Sequence, residues 1–165
     1  MNGQLFLRRT LKFLHTMGAI GLMGAMACLL VLLAFVPPPA RLAEYALLRG
    51  AMGTIATWVF LPSFAMTLIA GLLAIAINRA FHNAGWAWVK LVSGLAVFEG
   101  SFVGVIGPMQ EEAEQSAKVL AGQADVATLA QSLGAEQGTL WLLMAVATAN
   151  VVLGVWRPKL TRLPD

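Results

Sequence analysis

Four long apolar runs divide this chain, and each approaches the roughly 20 residues that a helix needs to cross a bilayer. They cover residues 11–36, 54–77, 86–107 and 138–156, with short polar stretches between them. Such spacing predicts an all-α polytopic membrane protein in which four transmembrane helices form one bundle. The balance of residues agrees: 59% of the chain is hydrophobic and 12% charged, whereas soluble domains average about 45–50% and about 25%. So few charges cannot coat a water-soluble globule. The runs use most of residues 1–165, which makes a single transmembrane domain the expectation.

Taken in order, the first run follows Arg8, Arg9 and Lys12. The paired arginines and the apolar stretch suggest a secretory signal, but the run exceeds the about 7–15 residues of a signal core, so a retained helix is expected. Pro37, Pro38 and Pro39 end it, because successive prolines cannot continue a helix. The next connector, with Arg41, Glu44, Tyr45 and Arg49, reads as a brief amphipathic turn on the membrane surface. Pro62 lies inside the second run, where it deprives the Trp58 carbonyl of its helical partner and predicts a kink. A polar turn around Asn78–Gly85 leads to the third run, which is expected to stop at Gly107-Pro108. Residues 109–137 then set Glu111, Glu112, Glu114, Asp125 and Glu136 against one Lys118. Alanine and leucine at helical spacing, with Gly122 and Gly134 as breaks, predict two short amphipathic helices across the mouth of the bundle.

The basic residues predict orientation. Arg8, Arg9, Lys12, Arg79, Arg157, Lys159 and Arg162 fall on the side of the two termini, and only Arg41, Arg49 and Lys118 on the other. The positive-inside rule then places both termini in the cytoplasm of a bacterial inner membrane, with the acidic segment outside. In such a setting the net charge of +3 reports topology, and a nucleic-acid partner is not expected. Small residues recur where helices would meet: Gly18, Gly21, Ala25 and Cys28 in the first run, Ser63, Thr67 and Gly71 in the second, Gly100 and Gly104 in the third. Such stripes permit close packing within one chain, and equally a homo-oligomer or partner transmembrane helices.

Glu99 is the residue most in need of an explanation, since a carboxylate that deep in an apolar run costs about 2.5–3.5 kcal/mol to insert. Counted from the outer ends of the runs, Ser63 and Thr148 lie at similar depth, with Asn150 slightly deeper. Glu99, Ser63, Thr148 and Asn150 are therefore candidates for a ligand or proton site. Lys90 is read as a boundary anchor that snorkels to the headgroups. His15 is a candidate ligand for haem iron or copper, with His82 on the same side, and Met23, Met26 and Cys28 form a soft-ligand patch. Cys28 is the single cysteine, so no disulfide forms within one chain. No phosphate loop, nucleophile elbow or paired-histidine zinc motif occurs, and no catalytic residue is assigned.

The K-x-L-H-x-x-G opening at Lys12–Gly18, Thr67 and Gly71 in T-x-x-x-G, W-x-x-x-K-L at Trp86–Leu91 and G-P-M-Q at Gly107–Gln110 resemble an uncharacterised bacterial four-helix integral membrane family. A more distant similarity is to copper-resistance D-type proteins and the membrane protoporphyrinogen oxidase. In haem-binding relatives the first-helix histidine is a haem ligand, a role that by position maps to His15. Their second ligand is a histidine on another helix, where this chain has Glu99. Three readings are open: a membrane protein handling a small ligand, proton or metal; a haem- or copper-linked redox protein using His15; or an accessory subunit of a membrane complex.

Overall fold

A computed structural model describes residues 2–82, 84–129 and 133–157. The described chain is built from helices, four of them long and apolar enough to cross a membrane. They are α1 (Asn2–Ala34), α2 (Leu42–Ile77), α3 (Gly85–Leu120) and α4 (Gly134–Trp156). A single turn at Arg79–His82 joins α2 to α3, and a 3₁₀ turn at Val126–Thr128 lies between α3 and α4. The basic tail with Lys159 and Arg162, and residues 130–132 of the acidic segment, lie outside the described residues.

The two central helices are longer than the sequence suggests, and they are built as reversed copies of one plan. α2 has a 14-residue arm (Leu42–Ile55), a five-residue π turn (Ala56–Phe60) and a 17-residue stem (Leu61–Ile77). α3 has a 17-residue stem (Gly85–Ser101), a five-residue π turn (Phe102–Ile106) and a 14-residue arm (Gly107–Leu120). Each π turn ends two residues before a proline, Pro62 or Pro108. Proline lacks an N–H, and its ring strikes the carbonyl four residues back in a regular helix. Widening the preceding turn relieves that collision. Leu61 N–H reaches the Ala56 carbonyl and Gly107 N–H that of Phe102, each five residues back.

Three expectations are corrected by this construction. Pro108 does not end the third helix, because the wide turn accommodates it and the helix runs on to Leu120. The connector around Tyr45 and Arg49 is not a surface turn but the first arm of α2. In place of two short α-helices after Pro108, the described residues form one arm continuous with α3, which ends at Leu120 and is followed by a turn at Gly122 with φ of +72°. That backbone conformation favours glycine.

Packing pairs the pieces unequally. α1 lies along the α2 stem so closely that a Cβ on Gly18 would stand 2.7 Å from the Ser63 carbonyl oxygen and 2.8 Å from the Thr67 nitrogen. The stem and π turn of α3 lie antiparallel to α4, with Gly104 against Thr139, Gly100 against Leu143 and Ser93 against Asn150. Thus Gly18, Gly21, Gly71, Gly100 and Gly104 of the small-residue stripes meet neighbours within the chain, whereas Cys28 is exposed. The two arms pack on each other through Gly53, where an added Cβ would lie 3.0 Å from that of Ala113. Gln110 Nε2 donates to Thr57 Oγ1 at 2.8 Å and ties the helices together beside the wide turns. The dense core sits at this level, with Met26, Leu29, Met52, Phe60, Val105, Met109 and Leu140 fully buried. Below it the stems of α2 and α3 diverge.

Candidate functional site

Divergence of the stems opens a cavity of about 380 Å³ at the end that carries the basic residues. All four long helices contribute to its walls. Its floor is the underside of the core, including Leu22, Phe64 and Val97. Toward the mouth the lining becomes basic, with Arg8, Lys12, His15, Lys90 and Arg157, and no carboxylate lines it among the described residues. None of Arg8, Lys12, Lys90 or Arg157 is in an ion pair among those residues; the pairs present are Arg41–Glu44 and Arg49–Glu136.

Lys90, Arg157 and His15 each have a structural reason for their place. Lys90 is half-buried one turn inside α3 and crosses Gly154, where a Cβ would lie 2.8 Å from Nζ. The expected outward snorkelling of Lys90 is therefore replaced by an inward position over a residue that lacks a side chain. Arg157 caps α4 in the left-handed region, φ +46°, which folds its side chain back. Its guanidinium lies 5.7 Å from the ring centroid of Trp86, and Nε donates to the Gly154 carbonyl at 3.3 Å. His15 Nδ1 donates to the Thr67 carbonyl at 2.8 Å, and its ring packs beside Gly71. A hydrogen bond of that kind fixes the tautomer and leaves Nε2 as the other ring nitrogen.

A second charged cluster occupies the opposite end, where the arms of α2 and α3 meet α4. Arg49 is fully buried, and Nη1 donates to Glu136 Oε2 at 2.7 Å. Arg49 Nε donates to the Tyr45 hydroxyl at 3.2 Å, which in turn donates to Glu112 Oε1 at 2.5 Å. The guanidinium carbon also stands 5.4 Å from the Tyr45 ring centroid. Burial, then the bond to Glu112, pushes the Tyr45 hydroxyl up to about 12. For Arg49, burial favours the neutral form, but the bond and charge of Glu136 outweigh it, so the guanidinium is held above its ordinary value. One donor, Arg49 Nη2, is buried without a partner among the described residues.

The four residues expected to form a site around Glu99 are not brought together. Glu99 is exposed on the outward face of the α3 stem, beside exposed Val92, Leu95 and Val103. Ser63 abuts Gly21 in the α1–α2 seam. Thr148 is exposed on α4, where its hydroxyl donates to the Met144 carbonyl at 2.8 Å. Asn150 reaches the cavity but accepts from Ser93 Oγ at 3.0 Å. Of the proposed site residues, His15 and Asn150 line the cavity.

Metal and haem candidates separate in the same way. Met23 lines the cavity, Met26 is buried in the core and Cys28 is exposed, so the soft-ligand patch is split. His82 is exposed and donates from Nε2 to the Ile75 carbonyl at 3.0 Å, away from His15. No group of three or more His, Cys, Asp or Glu suited to a metal occurs among the described residues. For haem, the described residues supply one histidine in the cavity and no second.

The Tyr45–Arg49–Glu112–Glu136 cluster was missed from sequence, although two signals point to it. Tyr45 and Arg49 are four residues apart and share a helix face. Glu112 falls in step with Met109, Ser116 and Val119, the buried face of the second arm. Comparisons with protein-family models, curated proteins and solved structures gave no match to this chain.

Proposed function

We propose that this chain is a four-helix integral membrane protein that holds a small lipophilic ligand in the cavity at its basic end. The cavity itself carries the reading: about 380 Å³ bounded by all four helices, within the roughly 300–1,000 Å³ usual for ligand pockets. Membrane insertion is supported by the apolar exterior, where Ile20, Ile69, Val92 and Leu142 are all exposed. Each π turn and its stem together span about 33 Å at 1.5 Å per residue, matching a hydrocarbon core of about 30 Å. The basic end then faces the cytoplasm of a bacterial inner membrane and the arms stand outside, consistent with the positive-inside rule. The similarity to the uncharacterised four-helix family is part of this proposal.

The test is native mass spectrometry of protein released gently from its membrane. Co-purifying small molecules that vanish in Gly94→Leu support the reading. A Cβ at Gly94 has room, with Leu68 Cδ1 4.0 Å away, so the larger side chain fills the cavity without touching a charge. Protein that never carries a ligand, and takes up none when offered lipids, overturns it. A Soret band in the same preparation would instead support haem held through His15.

A second reading, an accessory subunit, is favoured by the outward position of Glu99. A carboxyl on a lipid-facing surface is costly, and a partner helix with a hydrogen-bond donor at that depth would remove the cost. Glu99→Leu that leaves the size of the membrane complex unchanged eliminates this reading.

A further inference from the structure

The walls of the cavity restrict the chemistry of any ligand it holds, given the binding role already proposed for it. We infer that the ligand is an amphipathic anion, one apolar chain carrying a carboxylate or phosphate head. Four permanently basic side chains, Arg8, Lys12, Lys90 and Arg157, converge on the mouth with no acidic residue lining it among the described residues. Lys90 lies within electrostatic reach of both Arg157 and His15. Mutual repulsion penalises these charges and partial burial penalises Lys90, whereas Arg8, Lys12 and Arg157 are exposed; an anionic head relieves both penalties. Arginine offers a forked donor to carboxylate or phosphate, and lysine a mobile point charge.

The rest of the cavity excludes the alternatives. A small inorganic anion would leave Leu22, Phe64, Leu68 and Val97 facing an unfilled apolar space. A neutral chain would bury beside the cations with nothing to offer them. A quaternary ammonium head wants an open aromatic face, and the ring of Trp86 already carries Arg157. The volume suits a single chain, with the head at Lys90 and Arg157 and the tail toward Phe64.

The experiment titrates the full-length protein in neutral detergent with lysophosphatidate, with a monoacylglycerol of the same chain length, and with inorganic phosphate, read by native mass spectrometry. Lysophosphatidate is expected to bind one per chain, about 10- to 100-fold tighter than the monoacylglycerol, the range set by a charge-assisted contact. Lys90→Gln should bring it down toward the monoacylglycerol level, and Gly94→Leu should remove both lipids. Equal binding of the two lipids by the unaltered protein overturns the anionic head and leaves the cavity's binding role intact. Inorganic phosphate binding as tightly as lysophosphatidate overturns the apolar chain. If neither lipid binds, the binding role fails and the anionic head with it.

Discussion

The two ends of the bundle use the same residue type in opposite ways. At the arms, one arginine is driven into a fully buried position and surrounded by Tyr45, Glu112 and Glu136. At the stems, several cations line a void and lack an acid among the described residues. Removing a cation from water costs several kcal/mol, recovered only by well-placed counter-charges and hydrogen bonds. The arms supply those partners from within the chain and thereby lock three helices together. The stems do not. A cation paired internally builds structure, whereas cations gathered around open space suit the ligand-binding role proposed above.

This contrast can be broken most directly at Arg49. Arg49→Met strands two acidic side chains in the cluster and should lower stability by about 3–5 kcal/mol. Lys90→Met, removing an unpaired charge, should leave stability within about 1 kcal/mol of the parent. Thermal or denaturant unfolding in one detergent compares the two, and equal losses would erase the distinction between the ends.

Alkaline titration is the next largest effect. The folded protein holds the Tyr45 proton to about pH 12, whereas an unfolded tyrosine releases it near pH 10. The stabilisation is complete below pH 10 and lost as pH rises toward 12, about 2–3 kcal/mol in total. Tyr45→Phe should flatten that part of the stability profile. A profile identical to the parent's between pH 10 and 12 would place the titration elsewhere.

Smaller effects probe the seams that hold the ends apart. Gly18→Leu forces a side chain into the backbone of the α2 stem and should cost about 1–3 kcal/mol. Gln110→Leu removes the bond to Thr57 beside the wide turns and should cost about 0.5–1.5 kcal/mol, with the cavity unchanged. A measurable loss of ligand in Gln110→Leu would mean that the two ends communicate.

Periodicity and run length were enough to read four helices and the faces on which Gly18, Gly21, Gly100 and Gly104 meet their neighbours. Those are local properties, and the close approaches depend on residue size. The continuation past Pro108 was not legible, because proline ends a helix unless the preceding turn widens, and no residue pattern announced the widening. Nor was the cluster at Arg49, whose partner Glu136 is 87 positions away. Glu99 shows the reverse failure. A position counted along the run says nothing of azimuth, and the outward face of α3 keeps Glu99 from Asn150 and Ser63. The cavity depends on stems that part, and it emerges only from three-dimensional packing.

In the membrane placement proposed above, the paired 14-residue arms would also set how far the protein reaches into water. They lift the turn at Gly122 about 21 Å beyond the wide turns. The headgroup layer on one face of a bilayer accounts for only about 5–8 Å of its thickness. With the stems in a bilayer and the arms outside, as proposed above, an epitope inserted between Gly122 and Gln123 would stand well clear of the lipid, and an antibody added from that side would reach it.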